Sequence, residues 1–160
     1  MAVSDITFTA EGRTRAFDLL FSFDGRVTRS SYWLSWLLWV VAGIALLLFS
    51  FLLAWVPILG FVLWLIFALL ALNSSIAVGR KRLHDRGKSG WWLLLFYLGP
   101  TVCDFIGQAL DLRGVFDTAS FGLTAWAIVE LGVLPGTKGP NAYGPDPLNP
   151  QAQIAAQASS

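Results

Sequence analysis

Charged residues are scarce in this 160-residue chain, and their scarcity excludes two broad classes of protein. Asp, Glu, Lys and Arg together make up 13% of the sequence, about half of the usual fraction. Apolar residues make up 56%. A soluble domain of this size needs more polar side chains to cover its surface. Disordered chains are charged and poor in aromatic residues, whereas this chain has eight tryptophans. The composition therefore predicts a membrane protein.

Cysteine and histidine each occur once, as Cys103 and His84, which excludes sites that need several of either. An intramolecular disulfide and an ordinary zinc site are both impossible with this pair. The segment Gly87-Lys88-Ser89 matches the end of a P-loop, but Arg82 stands where the first glycine belongs. The net charge of +1 gives no bulk attraction to nucleic acid. We expect no metal, no cofactor, no catalytic residue and no nucleic-acid partner.

The longest charge-free run lies between Arg29 and Arg80 and predicts two membrane-spanning helices. A helix needs ~20 residues to cross the ~30 Å hydrocarbon core, and this run is long enough for two crossings and a turn. The segment Pro57-Ile58-Leu59-Gly60 is the natural break, since proline and glycine interrupt helices. We therefore predict spans over residues 33–55 and 59–78.

Two weaker apolar stretches follow, at residues 91–110 and 118–134, and they predict a third and a fourth span. Gly99-Pro100 interrupts the first of them, and the second is at the short end of the range for a span. The second stretch also fits a buried core helix. The predicted fold class is all-α, an integral membrane bundle of four transmembrane helices.

The distribution of lysine and arginine predicts the orientation of this bundle. Four spans place ten of the eleven basic residues on one side and leave Arg113 alone on the other. The positive-inside rule then puts both termini in the cytoplasm. We divide the chain into a cytoplasmic segment with an interfacial stretch (1–31), a transmembrane domain (32–134) and a cytoplasmic, turn-rich and disordered tail (135–160). No cleavable signal peptide is predicted.

Three polar segments flank the spans, all on the predicted cytoplasmic side: residues 21–33, 80–92 and 134–147. The first has a turn signal and a helix cap at Thr28 or Ser30. In the second, Gly87 suits the end of one helix and Ser89 the start of the next. The third is rich in glycine and proline, which favours consecutive turns. A simple topology determinant with helix caps would explain these features equally well.

Two ionisable residues, Asp104 and Glu130, fall inside predicted spans, where such groups are functional candidates. Glu130 lies near the cytoplasmic end of its span, so we predict that it pairs with a basic group of residues 80–90, or with Arg26 or Arg29. Asp104 lies deeper in its span, and we predict that it faces Arg113, Gln108 or water on the outer side.

The three polar segments together resemble the family called domain of unknown function 805, whose members are small bacterial inner-membrane proteins. The matching motifs are Gly25 to Trp33, Lys81 to Trp92 and Pro135 to Pro147. The resemblance implies a multi-span helical fold in the bacterial inner membrane and no known reaction. Lys81 and Lys88 stand where the family commonly has arginine, which weakens a bidentate contact at these two positions.

Our leading hypothesis is a non-enzymatic membrane protein whose cytoplasmic face binds anionic lipid headgroups or an acidic partner. The predicted cluster comprises Arg26, Arg29, Arg82, His84, Asp85, Lys88, Ser89, Asn141 and Tyr143. Two alternatives remain open. The chain would be a small oligomeric transporter or channel subunit if Asp104 and Glu130 line a polar path, or a membrane-embedded enzyme on lipid phosphates if His84 is an acid or base. The predicted partners are membrane lipids, further copies of the chain or another membrane protein.

Overall fold

The computed structural model of the chain describes residues 10–53 and 55–149, with side chains from residue 16 onward. The regular elements in this part are helical, as the sequence predicts. They are α1 (Ala10–Phe21), α2 (Arg29–Leu52), α3 (Pro57–Asp85), α4 (Trp92–Ala109), α5 (Arg113–Ile128) and a π-helical segment (Val129–Val133). The only β contact in the described part is an isolated bridge between Asn141 and Gly144.

Two of these helices, α2 and α3, are long and apolar enough to cross a membrane. They contain 24 and 29 residues, each with a mean hydropathy of 2.3 over its most apolar stretch. Most of their large apolar side chains are exposed rather than buried. Exposed apolar helices of this length suit a lipid environment better than the core of a soluble protein.

The break between α2 and α3 lies earlier than the sequence analysis places it. Helix α2 ends at Leu52 rather than at residue 55, and Pro57 is the first residue of α3. Proline suits the first helical position because no helical partner is available there for the N–H that it lacks. Pro57 therefore begins the second helix, and Gly60 lies within its first turn instead of in a loop.

Helix α3 continues past its apolar part to Asp85 and ends in a Schellman motif at Gly87, the residue predicted to suit the helix end. Gly87 has a φ of 70°, a left-handed conformation that glycine adopts without strain. The Gly87 N–H donates to the His84 carbonyl at 3.0 Å, and the Lys88 N–H donates to the Leu83 carbonyl at 2.8 Å. These two hydrogen bonds satisfy carbonyls that the helix end would leave unpaired.

The start of α2 is also capped as the sequence predicts. Helix α2 begins at Arg29, and the Oγ1 atom of Thr28 accepts a hydrogen bond from the Ser31 N–H at 3.3 Å. Threonine at this position satisfies one of the amides that lack a partner in the first turn. Gly25, with a φ of 91°, forms the turn predicted from Asp24-Gly25.

Helices α4 and α5 form a tight hairpin, and its loop is shorter than predicted. Only residues 110–112 separate the helices, because α5 already begins at Arg113 instead of residue 118. Gly107 of α4 packs against Phe116 of α5, and an added Cβ would lie 2.7 Å from the Phe116 Cβ. Pro100 lies inside α4 without ending it.

The described chain divides into two compact units, one within Met1–Phe23 and Trp33–Val78 and the other within Asp24–Tyr32 and Gly79–Ser160. In the first, the Trp39 indole donates to the Ser74 hydroxyl at 2.9 Å, so polar groups between apolar helices bind each other. In the second, the core consists of Leu83, Leu93, Phe96 and Leu131, with Tyr32 and Ala127 packed against it. The three polar segments lie almost wholly in this second unit.

Candidate functional site

The Asp85 carboxylate lies at the centre of the second unit, between two buried arginines. Its Oδ1 atom accepts from the Nε of Arg26 at 3.1 Å and from the Nη2 of Arg26 at 3.0 Å. Its Oδ2 atom accepts from the Nη1 of Arg82. All three side chains are almost completely buried. We call this group, with the main-chain atoms that it binds, the Asp85 network.

Arg26 extends the Asp85 network to the third polar segment. Its guanidinium donates to the main-chain carbonyls of Thr137 at 2.6 Å, Gly139 at 2.8 Å and Gly144 at 3.3 Å. A guanidinium has five N–H donors in a fixed fork; the carbonyls accept from Nη1 and Nη2, and Nε donates to Asp85. One side chain therefore joins all three polar segments.

Arg82 binds the end of the helical run that starts with α5. Its Nε donates to the Leu131 carbonyl at 2.8 Å, and its Nη2 donates to the Leu134 carbonyl. Two further arginines bind neighbouring carbonyls: Arg29 donates to Val133 at 3.2 Å and Arg86 to Pro135 at 2.7 Å. The last carbonyls of a helix lack internal partners, so Arg82 and Arg29 act as its cap, and Arg86 binds the chain just beyond it.

The third polar segment packs against Asp85 through Gly136 and Thr137. A Cβ added at Gly136 would collide with the Asp85 carboxylate, so only glycine fits at this position. The next residue, Thr137, donates to the main-chain carbonyl of Asp85 from its N–H at 2.8 Å and from its hydroxyl at 2.9 Å. These contacts fix the chain immediately after the helical run.

A second contact between segments is the stack of His84 on Tyr143. Their ring centroids are 3.9 Å apart, and their planes differ by 8°. The Asn141 side-chain amide donates to the His84 carbonyl at 2.9 Å, and the His84 imidazole hydrogen-bonds to the backbone of Gly25. His84 thus contributes to the packing of the same three segments.

Glu130 belongs to a separate cluster, which we call the Glu130 pair. Its Oε1 atom contacts the Nε of Arg86 at 3.0 Å and the Nζ of Lys88 at 2.9 Å. The prediction that Glu130 pairs with basic groups of residues 80–90 is confirmed. Glu130 lies in the π-helical segment, and π-helical turns frequently occur at functional sites.

Asp146 fixes the turns of the third polar segment. Its carboxylate accepts from the Leu148 N–H at 2.9 Å and from the Gly139 N–H at 3.0 Å. These two hydrogen bonds stabilise the ionised form and lower the pKa of Asp146. Residues 134–149 form turns, bends and irregular chain, and residues 150–160 of the tail predicted to be disordered lie outside the described residues.

Six of the nine predicted cluster residues lie together in or next to the Asp85 network: Arg26, Arg82, His84, Asp85, Asn141 and Tyr143. The other three lie elsewhere. Arg29 is exposed apart from its contact with Val133, and Lys88 belongs to the Glu130 pair. The Ser89 hydroxyl accepts from the Trp91 N–H at 3.4 Å, just before α4 begins. The anion at the centre of this cluster is the chain's own Asp85 carboxylate.

Asp104, which the sequence analysis places inside a span, does not join either cluster. It is half-buried in α4, and within residues 16–149 it forms no ion pair with Arg113. Sequence reasoning also missed Thr137, Gly136 and the main-chain acceptors at residues 131–135. A glycine directly after Pro135 is the one sequence signal for the close approach of residue 136 to the Asp85 carboxylate.

A family model described as protein of unknown function (DUF805) matches residues 20–145. The chain belongs to this family. The match confirms the resemblance predicted from the three motifs, and it includes every residue of the Asp85 network and the Glu130 pair. No solved structure matches the chain.

Curated relatives from Escherichia coli strain K12 cover most of the chain. The uncharacterized protein YiiR is 33% identical over 132 residues, which are 79% of this chain and 86% of the relative. The inner membrane protein YhaH is 31% identical over 126 residues, or 78% and 86%. The inner membrane protein YhaI is 30% identical over 126 residues, or 78% and 85%. These names support an inner-membrane protein of unknown activity.

We expect Asp85→Asn to unfold or strongly destabilise the protein. The change keeps the shape of the side chain but leaves two buried arginines without their counter-charge, at a cost of about 3–5 kcal/mol. Thermal melting in detergent, followed by tryptophan fluorescence, measures the effect. Asp111→Asn is the matched control, because Asp111 is exposed and asparagine tolerates its positive φ. Equal melting temperatures for the two variants would contradict the assignment.

Proposed function

We propose that the chain crosses the inner membrane four times, with both termini in the cytoplasm. Helices α2 and α3 support two crossings by length and hydropathy. Helix α4 has 18 residues, about 27 Å at ~1.5 Å per residue, which is close to the thickness of the hydrocarbon core. Helix α5 and the π-helical segment continue each other from Arg113 to Val133. The single basic residue on the opposite side, Arg113, supports the orientation.

Cysteine labelling tests this topology, with Cys103→Ser as the background. We expect a membrane-impermeant thiol reagent to label Leu110→Cys in intact spheroplasts, because four crossings put the α4–α5 loop outside. We expect Lys138→Cys to react only after permeabilisation. Both positions are exposed. If Leu110→Cys also required permeabilisation, α4 and α5 would not cross the membrane.

The role that we propose is binding of anionic lipid headgroups at the cytoplasmic face, without catalysis. This proposed role is based on a surplus of positive charge in the three polar segments of the second unit. The three polar segments and Glu130 hold eight basic side chains against four acidic ones. The two buried carboxylates each bind two cations, and Arg29 and Arg80 are exposed. Cations near a membrane surface attract anionic lipids.

The same charge would suit an acidic segment of a partner protein, so the test must separate lipid from protein. The lipid version is favoured because the positive surplus adjoins exposed apolar helices, where headgroups are always present. The transporter and the enzyme remain the two alternatives to this role. No distance in the described residues favours either of them.

We expect the double variant Arg29→Gln, Arg80→Gln to bind anionic lipid more weakly than the wild type. Two charges at ~1 kcal/mol each predict a loss of about thirtyfold in affinity. Native mass spectrometry with phosphatidylglycerol and phosphatidylcholine gives the selectivity. Arg113→Gln is the control, because it removes a basic residue from the opposite side. Equal binding of the two lipids by the wild type would overturn the lipid version and leave the acidic partner. Unchanged selectivity in the double variant would exclude Arg29 and Arg80 as headgroup ligands.

A further inference from the structure

We propose a phospholipid site at the Glu130 pair, where Lys88 and Arg86 hold the lipid phosphate beside the indole rings of Trp92 and Trp126. This proposal rests on the proposed function and names the place and the ligand class. The ligand is an anionic phospholipid, with its phosphate at the cations and its acyl chains along the apolar surface of α4 and α5.

The charge balance of the Glu130 pair favours an anionic ligand. One carboxylate oxygen is shared by two cations, so one positive charge is left over. The Glu130 side chain is 3% exposed, whereas Arg86 and Lys88 are 22% and 30% exposed. The carboxylate therefore lies behind the cations, and the cations face outward. An ammonium has three N–H donors, and the Glu130 oxygen accepts from one of them.

The surroundings of Lys88 favour a lipid over a free anion. Its Nζ atom lies 5.2 Å from the centroid of the Trp92 ring. Trp92 in turn contacts Trp126 edge-on, with ring centroids 5.6 Å apart, and both indoles are partly exposed. Tryptophan is enriched at headgroup depth, where its ring is apolar and its N–H is polar. Exposed apolar side chains on both helices, Leu94 and Ile128 among them, can contact acyl chains.

The Asp85 network cannot serve as this site. Arg26 and Arg82 are buried, and their donors bind Asp85 and main-chain carbonyls. An external phosphate would have to displace the chain's own carboxylate. Of the two clusters, only the Glu130 pair combines partly exposed cations with exposed aromatic rings.

The experiment measures binding of short-chain phosphatidylglycerol and of glycerol 3-phosphate to the full-length protein in a neutral detergent. We expect Lys88→Gln to bind phosphatidylglycerol about fivefold more weakly, the effect of one charge near a headgroup. Lys88→Arg should restore binding, because it keeps the charge. Arg113→Gln, which removes an exposed basic residue outside the three polar segments, should match the wild type. Melting temperatures identify any variant that loses its fold.

A second measurement keeps the site testable if Lys88→Gln proves unstable. Phosphatidylglycerol with brominated acyl chains should quench the tryptophan fluorescence of the wild type. Trp126→Phe should reduce the quenched fraction more than the control Trp55→Phe does. Trp55 is an exposed indole of the first unit. Equal reductions would overturn the site.

The outcomes separate this site from the proposed function. If the wild type showed no preference for anionic lipid, both would fail. If that preference were present but unchanged by Lys88→Gln, this site would be wrong and the proposed function would stand. If glycerol 3-phosphate bound as tightly as phosphatidylglycerol, the ligand would be a free phosphate ester and the lipid assignment would be wrong.

Discussion

The ion pairs of Asp85 with Arg26 and Arg82 are the contacts on which the folded second unit depends. Buried charges are stable only when they are paired and hydrogen-bonded, and removal of one partner leaves the others uncompensated. Arg26 and Asp85 are 59 positions apart in the sequence, and Arg26 also binds carbonyls more than 100 positions away. The carboxylate therefore holds together segments that share no secondary structure.

Arg82 of the same network and Arg29 outside it together satisfy the end of the helical run after α5. Free carbonyls at the end of a helix are costly where water is scarce, and these two arginines provide their donors. Arginine suits this role because it keeps its charge and donates in a fixed planar geometry. Some cations are buried in structural contacts, and the others, at the Glu130 pair and on the surface, are those that we propose to bind anionic headgroups.

Much of the fold and part of the site could be predicted from the sequence, and the exceptions have physical causes. The charge-free run before Arg80 predicted α2 and α3, and the depth of Glu130 in its span predicted its partners. Pro57 was predicted to lie in the break between the helices, whereas it begins α3. Proline breaks a helix when it lies in the interior, but it is favourable in the first turn. The acceptors for Arg82 were not predicted, because every residue has a main-chain carbonyl and the sequence does not mark which one binds. The convergence of three distant segments required the folded structure.

A double-mutant cycle of Arg26→Gln and Asp85→Asn tests most directly whether their ion pair joins the segments. Chemical denaturation in detergent gives the free energy of unfolding of the wild type, the two single variants and the double variant. We predict that the double variant loses less stability than the sum of the single losses, with a coupling energy of about 1–3 kcal/mol. Losses that add to within about 0.5 kcal/mol would contradict the account.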